Sequence, residues 1–339
     1  MIEVKNLTKN FGEKRAVDDL SFTVREGVAY GFLGRNGAGK TTTIRILMNV
    51  FREDSGEALF NGVPAYKESV RIGYLPEERG LYAKRGVLEQ LTYFGLLKGL
   101  DRSRTESEGR AKLEEMEATE YAYQKLETLS KGNQQKIQLA CAMLGDPEVI
   151  ILDEPFSGLD PINAQVLKNA VRRQVNEGRT VIFSSHQMAQ VEEFCDDICI
   201  IDKGRSVLEG NLSAIKRSYP RDLLYIETEG GGAGAKTAEE LLSGQDYVKE
   251  FAPKGMGYEV KLNDPAKRSM LLRALEEADA RVDSFYVIEP SLEQIFVEKA
   301  GAADPLEEGP DGKAALPKPE DNRGWRRKMF DKIGGRAMK

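Results

Sequence analysis

The sequence predicts an α/β domain followed by a smaller α+β domain. Residues 1–215 alternate short apolar runs with segments of helical periodicity, the pattern of strands covered by helices. Residues 222–300 instead give strand-like segments separated by three short helical segments. With 339 residues, 40% of them hydrophobic and 31% charged, the composition favours a folded chain of two domains over a disordered one.

The first domain is predicted from its apolar runs. Three of them indicate buried strands, at residues 28–34, 149–155 and 180–186. The first run ends in glycine and is followed by a helical pattern over residues 40–48, and a second helix is predicted over 163–176. Residues 83–146 are richer in helical pattern and charge, so we expect a mostly helical subdomain inserted in the sheet domain.

The second domain and the tail differ in composition. The glycine-rich stretch at 230–234 is expected to be a loop, and from Gly301 the chain turns to proline, glycine and charge, which predicts a disordered tail over 301–339. The tail ends in a basic amphipathic segment, because four apolar side chains fall on one helical face: Trp325, Met329, Phe330 and Ile333. It is either a membrane-surface or partner-binding helix, or a solvated tail.

Charge and cysteine content exclude several classes of protein. The net charge of −6 gives no general attraction to nucleic acid, and no stretch approaches the roughly 18 apolar residues of a membrane span. The N-terminus lacks the pattern of a signal peptide, so a cytosolic protein is expected. Cys141, Cys195 and Cys199 have no further cysteine or nearby histidine to complete a metal site, and we interpret them as small buried hydrophobic residues.

Residues 34–41 fit the phosphate-binding pattern G-x-x-x-x-G-K-[ST]. Glycines let successive backbone N–H groups point at one anion, and the following helix offers its positive end. Lys40 supplies a charge for the β- and γ-phosphates, and the Thr41 hydroxyl is a Mg²⁺ ligand. The predicted nucleotide contacts of this segment are Gly34, Arg35, Asn36, Gly37, Ala38, Gly39, Lys40, Thr41 and Thr42.

A second chemical signal is the acid pair Asp153–Glu154 at the end of an apolar strand. The carboxyl end of a strand is where α/β sheets bind ligands, so we expect both acids beside the phosphate loop. Asp153 would hold Mg²⁺ through water, and Glu154 would polarise the attacking water. His186, the only histidine, ends the next predicted strand and should reach the same edge in a catalytic role.

Together these motifs resemble the ABC ATPase family, a group of P-loop NTPases with a RecA-like core and a helical subdomain. Leu129–Asn133 resembles the family's signature loop, and Ser157–Asp160 its D-loop. The resemblance implies ATP and Mg²⁺ as cofactors, and a dimer in which the signature loop of one protomer closes over the nucleotide of the other. The implied signature residues are Ser130, Lys131, Gly132 and Asn133. Asp160 is the implied D-loop residue, Phe11 would stack on adenine, and Val17 would lie beside the base.

Two motifs depart from the family pattern. Lys131 and Asn133 stand where the signature loop usually has glycine and glutamine, and the lysine is compatible with function if its backbone avoids positive φ. Glu77 stands where a metal-contacting glutamine is usual. It keeps an oxygen ligand for Mg²⁺ but adds a negative charge that would strengthen metal binding or slow hydrolysis.

Residues 288–296 resemble the closing motif of the small C-terminal domain in drug- and sodium-efflux ATPases. The subgroup that looks closest is the NatA-type ATPases that serve ABC-2 permeases. This resemblance implies a homodimer, or a heterodimer with another ABC ATPase, on an integral-membrane ABC-2-type permease at the inner face of the cell membrane, without nucleic acid. The alternatives are a slow or regulatory ABC ATPase, or a soluble one acting on a partner outside the membrane.

Overall fold

The computed structural model describes residues 1–67, 70–78, 80–228, 233–278 and 280–300. These fall into two compact units, Met1–Gly210 together with residues 296–300, and Asn211–Ile295. The predicted amphipathic tail segment with Trp325, Met329, Phe330 and Ile333 lies outside the described residues.

The helices and strands follow in chain order. The strands are β1 (Ile2–Phe11), β2 (Lys14–Val24), β3 (Ala29–Leu33), β4 (Ser55–Phe60), β5 (Val63–Pro64), β6 (Ile72–Leu75), β7 (Val149–Asp153), β8 (Thr180–Ser185), β9 (Asp197–Asp202), β10 (Arg205–Asn211), β11 (Leu223–Thr228), β12 (Val248–Lys254), β13 (Gly257–Leu262) and β14 (Val282–Val287). The helices are α1 (Lys40–Leu47), α2 (Val87–Leu97), α3 (Arg102–Glu115), α4 (Lys131–Ala142), α5 (Pro161–Asn176), α6 (Met188–Phe194), α7 (Leu212–Ser218), α8 (Ala233–Ser243), α9 (Arg268–Glu277) and α10 (Leu292–Ala300).

The N-terminal strands form an antiparallel sheet in the order β2-β1-β4-β5. The sequence pattern predicted the α/β class of this domain but did not reveal that its first strands pair antiparallel. The physical reason is the short turn at Gly12–Glu13, since two residues can join antiparallel neighbours but are too few for a parallel crossover.

The central sheet has the order β10-β9-β3-β8-β7-β6, in which the five strands from β9 to β6 are parallel. Every residue of β3, β7 and β8 is buried, as expected for parallel strands covered on both faces. The register sets Asp153 opposite Ser184 and Leu33 opposite Ser185. The phosphate loop, the acid pair and His186 therefore leave the sheet at one edge.

Three helices, α2, α3 and α4, follow β6 and lie in the part of the chain predicted to be a helical subdomain. Their ends are tied together by a lysine. Lys98, just after α2, donates from Nζ to the carbonyl oxygens of Cys141, Ala142 and Leu144 at 3.1, 2.8 and 2.8 Å. Because these carbonyls belong to the last turn of α4 and beyond, the lysine closes that helix end.

The second unit is an antiparallel sheet in the order β12-β13-β11-β14. Its core contains Leu224 and Ile226 of β11, Val260 of β13, and Leu271 and Leu275 of α9, all fully buried. The glycine-rich stretch predicted to be a loop is partly helical, because α8 already begins at Ala233. No helix among the described residues of either unit has the length and apolar character needed to cross a bilayer.

Candidate nucleotide site

The phosphate loop leaves β3 at Gly34 and enters α1 at Lys40. A Cβ on Gly34 would lie 2.4 Å from the carbonyl oxygen of Ile201, so only glycine fits between the loop and β9. Gly39 has φ +109°, and a Cβ there would lie 2.5 Å from the carbonyl oxygen of Ala16. Close approach at one position and positive φ at the other explain why the loop needs both glycines.

The turn between β9 and β10 supports the loop from outside. The N–H of Gly204 donates to the carbonyl oxygen of Ala38 at 2.9 Å, and the N–H of Asp18 donates to that of Gly204 at 2.9 Å. The loop is thus bonded to this turn, and the turn is bonded to β2, which preorganises the backbone N–H groups of the loop.

Lys40 lies inside this frame with only 7% of its surface exposed. Its Nζ donates to the carbonyl oxygen of Gly34 at 2.6 Å and, more weakly, to that of Arg35 at 3.3 Å. Burial lowers the pKa of Lys40, while the carboxylates of Glu154, Asp153 and Glu77 act in the opposite direction. Lys40 is therefore a buried cation surrounded by three carboxylates.

Asp153 ends β7 and is almost completely buried, at 2% exposure. The hydroxyl of Ser184 on β8 donates to its Oδ1 at 2.9 Å. Burial raises the pKa of Asp153, and the charges of Glu77 and Glu154 raise it further, against the hydrogen bond from Ser184 and the charge of Lys40. A buried carboxylate with so little compensation is suited to holding a cation.

Glu154 is held from several sides. Its Oε1 accepts hydrogen bonds from the backbone N–H of His186 at 2.8 Å and pairs with the ring Nδ1 of His186 at 2.7 Å. Its Oε2 accepts from the Ser185 hydroxyl at 3.1 Å. The backbone of Glu154 has φ +50°, a left-handed conformation that costs energy in a non-glycine residue and is often found at functional sites.

A cavity of about 210 Å³ joins these groups. Its lining is Phe11, Lys14, Ala16, Asn36, Gly37, Gly39, Lys40, Thr41, Thr42, Glu77, Asp153 and Glu154. Of the residues predicted for the phosphate loop and the catalytic group, Gly34, Arg35, Ala38 and His186 do not line it. Gly34 and Ala38 are buried, and the other two are exposed.

Around the predicted adenine contact the structure corrects one expectation and adds two residues. The ring of Phe11 is 45% exposed and meets Phe51 edge-to-face, with centroids 5.4 Å apart. Val17, expected beside the base, is fully buried in the core and offers no surface. Ala16 and Lys14 line the cavity instead; the alternation of β2 puts Ala16 and Val17 on opposite faces, a signal that sequence reasoning could have used.

Glu77 follows β6 and reaches the same cavity from an exposed loop. That loop is fixed by Gln138 of α4, whose Nε2 donates to the carbonyl oxygens of Pro76 and Glu78, each at 3.2 Å. Gln138 is buried, and nothing in the sequence pattern singled it out. It ties the position of Glu77 to helix α4.

The predicted signature residues lie at the start of α4 and do not line this cavity. Ser130 is the N-cap, and its side chain accepts from the N–H of Asn133 at 3.3 Å. Lys131 begins the helix and does not have a positive φ, so the condition for its compatibility is met. Asp160 caps α5 in the same way, accepting from the N–H of Asn163 at 3.0 Å.

A parallel sheet with a phosphate loop at its carboxyl edge and a buried acid pair on the neighbouring strand define a P-loop ATPase. Two protein-family models match the chain: the ABC transporter model over residues 17–157, and the C-terminal domain of DrrA1-3-like ATP-binding proteins over residues 210–300.

Similar proteins agree with these matches. The uncharacterized ABC transporter ATP-binding protein YhaQ of Bacillus subtilis is 41% identical over 89% of this chain and 99% of its own length. The Nod factor export ATP-binding protein I of Burkholderia lata is 35% identical over 64% of this chain and 73% of its own length. A solved ATP-binding subunit of an ABC transporter is 30% identical, with a TM-score of 0.59 over 64% of this chain and 92% of that one. The chain therefore belongs to the ABC transporter ATP-binding proteins, and it is an ATPase.

Proposed function

We propose that this ATPase works as a dimer, hydrolyses Mg·ATP between its protomers, and energises export through an ABC-2-type permease at the inner face of the cell membrane. The observation that carries the hydrolytic part is the fixed carboxylate of Glu154, which faces the phosphate-loop cavity with donors on both of its oxygens.

Binding falls to the loop at 34–41 and its neighbours. The backbone N–H groups of the loop and the N-terminus of α1 hold the phosphates. Lys40 exchanges its hydrogen bonds to the carbonyl oxygens of Gly34 and Arg35 for contacts with the β- and γ-phosphates. The half-exposed ring of Phe11 stacks on adenine. The loop is already built for this, because the N–H of Gly204 donates to the carbonyl oxygen of Ala38 and so fixes the loop backbone.

Thr41, Asp153 and Glu77 are the residues that would hold Mg²⁺. They offer hydroxyl and carboxylate oxygens at the same cavity, the donor set that this ion prefers, and the raised pKa of Asp153 shows an uncompensated acid there. When bound, the ion neutralises charge that develops on the β- and γ-oxygens.

Glu154 acts as the base. Its carboxylate orients a water towards the γ-phosphate and takes up a proton of that water as the water oxygen bonds to the γ-phosphorus. The bond from the γ-phosphorus to the β–γ bridging oxygen breaks in the same step, and ADP and phosphate are the products. His186 acts through Glu154 by holding its Oε1 with both the backbone N–H and the ring. The sites are completed across the dimer: Ser130, Lys131, Gly132, Asn133 and Asp160 of one protomer serve the nucleotide bound by the other.

The proposed export and the permease partner are supported by the similarity of this chain to other ATP-binding proteins. The closing motif at 288–296 resembles that of drug- and sodium-efflux ATPases. One relative is named as the Nod factor export ATP-binding protein I. A specific observation favours a second candidate, a slow or regulatory ATPase. Glu77 stands where a glutamine is usual and adds a negative charge to the cavity that Asp153 and Glu154 also line, which would slow hydrolysis.

Turnover of ATP by the purified chain, compared with Glu154→Gln, tests the hydrolytic mechanism. We expect wild type to hydrolyse ATP and Glu154→Gln to be at least about 100-fold slower with unchanged ATP binding. Glu276→Gln, an exposed acid of the second unit, is the matched control and should behave as wild type. Absence of turnover in wild type would leave the regulatory candidate.

The partner is tested by purifying the tagged chain from membranes. Recovery of an ABC-2-like permease supports the exporter, whereas ribosomes or DNA in its place would overturn it.

A further inference from the structure

The start of α4 and the start of α5 touch at Gly132 and Asn163. A Cβ on Gly132 would lie 2.6 Å from Nδ2, 3.0 Å from Cγ and 3.3 Å from Cβ of Asn163. The amide of Asn163 therefore lies directly on the backbone of Gly132, which is itself buried. Gly132 is a glycine because this side chain occupies the place of its Cβ.

Asp160 holds that amide in place. Its Oδ2 accepts from Nδ2 of Asn163 at 2.6 Å, and its Oδ1 accepts from the backbone N–H of the same residue at 3.0 Å. The two bonds use both carboxylate oxygens and fix the asparagine rotamer. A continuous chain of contacts thus runs from the Asp160 carboxylate through Asn163 to Gly132.

A second bond joins the same two segments. Nε2 of Gln135, on the first turns of α4, donates to the carbonyl oxygen of Pro155 at 3.2 Å. Pro155 follows Glu154 directly in the chain. The start of α4 is therefore attached both to the end of the acid-pair strand and to the cap of α5.

We propose that Asn163 is a positioning residue for ATP hydrolysis, locking the loop 130–133 and Asp160 of one protomer into a single surface that acts on the nucleotide of the partner. The assignment rests on the proposed function, in which these two segments serve the opposite site. Asn163 itself does not line the phosphate-loop cavity of its own protomer.

The chemistry of the contact is specific to asparagine. An aspartate at 163 would set two carboxylates at the 2.6 Å separation now spanned by a hydrogen bond. A leucine would fill the space above Gly132 but would leave Oδ2 of Asp160 without its donor. Only the amide offers both a donor to Asp160 and a flat surface to Gly132.

The first test measures steady-state ATPase kinetics of Asn163→Ala. We expect kcat to fall about 10-fold, because one hydrogen bond to a charged group and its packing are lost, while the Kd for Mg·ATP stays at the wild-type value. Asn169→Ala is the matched control, since Asn169 lies on the same helix, is exposed, and only accepts a bond from Gln165. A wild-type kcat in Asn163→Ala, or a fall matched by Asn169→Ala, overturns the proposal.

The second test is a double-variant cycle with Gly132→Ala. Alanine at 132 collides with Asn163, so either single change breaks the same contact. We therefore expect the double variant to be no slower than Gly132→Ala alone. If the fold losses in kcat of the two single variants instead multiply in the double variant, the two residues act independently and the proposal is overturned.

The third test asks whether the effect crosses the dimer. Mixed dimers of Asn163→Ala with Lys40→Ala, isolated by two different tags, contain one site built from the intact phosphate loop of the first chain and the intact loop 130–133 of the second. We expect these dimers to be several-fold more active than either parent. Activity equal to the mean of the parents contradicts a role in trans, whereas inactivity of wild type would indicate failure of the proposed function itself.

Discussion

The central sheet of the first unit and the sheet of the second unit use burial differently. In β3, β7 and β8 every residue is buried, and the strand ends carry the acid pair and Ser184–Ser185 into the interior. In β11 burial alternates along the strand, and among the described residues of the second unit no charged or amide side chain is buried. Buried charge is thus confined to the unit that contains the phosphate loop.

This difference separates residues kept for chemistry from residues kept for stability. Burying Lys40, Asp153 and Glu154 costs free energy that packing alone would not justify. This cost is offset by their mutual attraction and by hydrogen bonds with hydroxyls, backbone groups and His186. The second unit shows the opposite arrangement, since Leu224, Leu271 and Leu275 are fully buried in a cluster of hydrophobic side chains. Substitutions of buried residues should therefore reduce ATP turnover in the first unit and stability in the second.

Lys40→Ala should have the largest effect. It removes the only cation facing Asp153, Glu154 and Glu77 in the cavity apart from Lys14, and we expect ATP turnover to fall about 1,000-fold with weakened nucleotide binding. Lys249→Ala, an exposed lysine of β12, is the control and should leave turnover unchanged. Equal losses of ATP turnover in both variants would contradict the proposed difference between the two units.

Leu275→Ala should destabilise the second unit without touching the ATP site. Its side chain is fully buried in that core, so we expect a loss of about 3 kcal/mol in the free energy of unfolding. Hydrogen exchange resolved by segment measures the loss, and ATP binding should be retained. Met270→Ala, on an exposed position of the same helix, is the control. Loss of ATP binding in Leu275→Ala would contradict the independence of the site.

His186→Ala should lower kcat by about 30-fold, because Glu154 keeps Ser185 and the backbone N–H but loses the ring. The Kd for Mg·ATP should not change. His186→Gln restores a side-chain amide and should recover part of the rate. A changed Kd with an unchanged kcat would assign His186 to binding instead.

Substitution of Lys98 should have the smallest effect, a pH-dependent change in the free energy of unfolding. Burial lowers the pKa of Lys98 from its usual 10.5 to about 8, so between these values the unfolded chain binds more protons and stability rises with pH. The side chain of Lys98 is nevertheless exposed as a whole, so solvent screening, together with the three carbonyls that accept from the ammonium, limits the rise to about 1 kcal/mol. Urea unfolding at pH 8 and 10 should show a flatter profile in Lys98→Met, and identical slopes would contradict this role.

Much of the site was predictable because its residues follow one another in the chain. The glycines, Lys40 and Thr41 form one local motif, and an apolar strand ending in Asp153–Glu154 predicted both its burial and its place at the sheet edge. Similarly, the resemblance to ABC ATPases agrees with the family models over both parts of the chain. The roles assigned to the signature residues, Asp160 and Glu77 remain predictions.

The sequence by itself determined the class of protein, because a phosphate loop and an acid pair are local patterns whose spacing encodes their chemistry. Only the tertiary structure decided what supports them. Gly204 bonded to the phosphate loop, Gln138 bonded to the loop of Glu77, and Asn163 seated on Gly132 are contacts between residues far apart in the chain. No periodicity records such contacts, since an amide or a turn glycine looks the same in sequence whether it faces solvent or holds a catalytic loop.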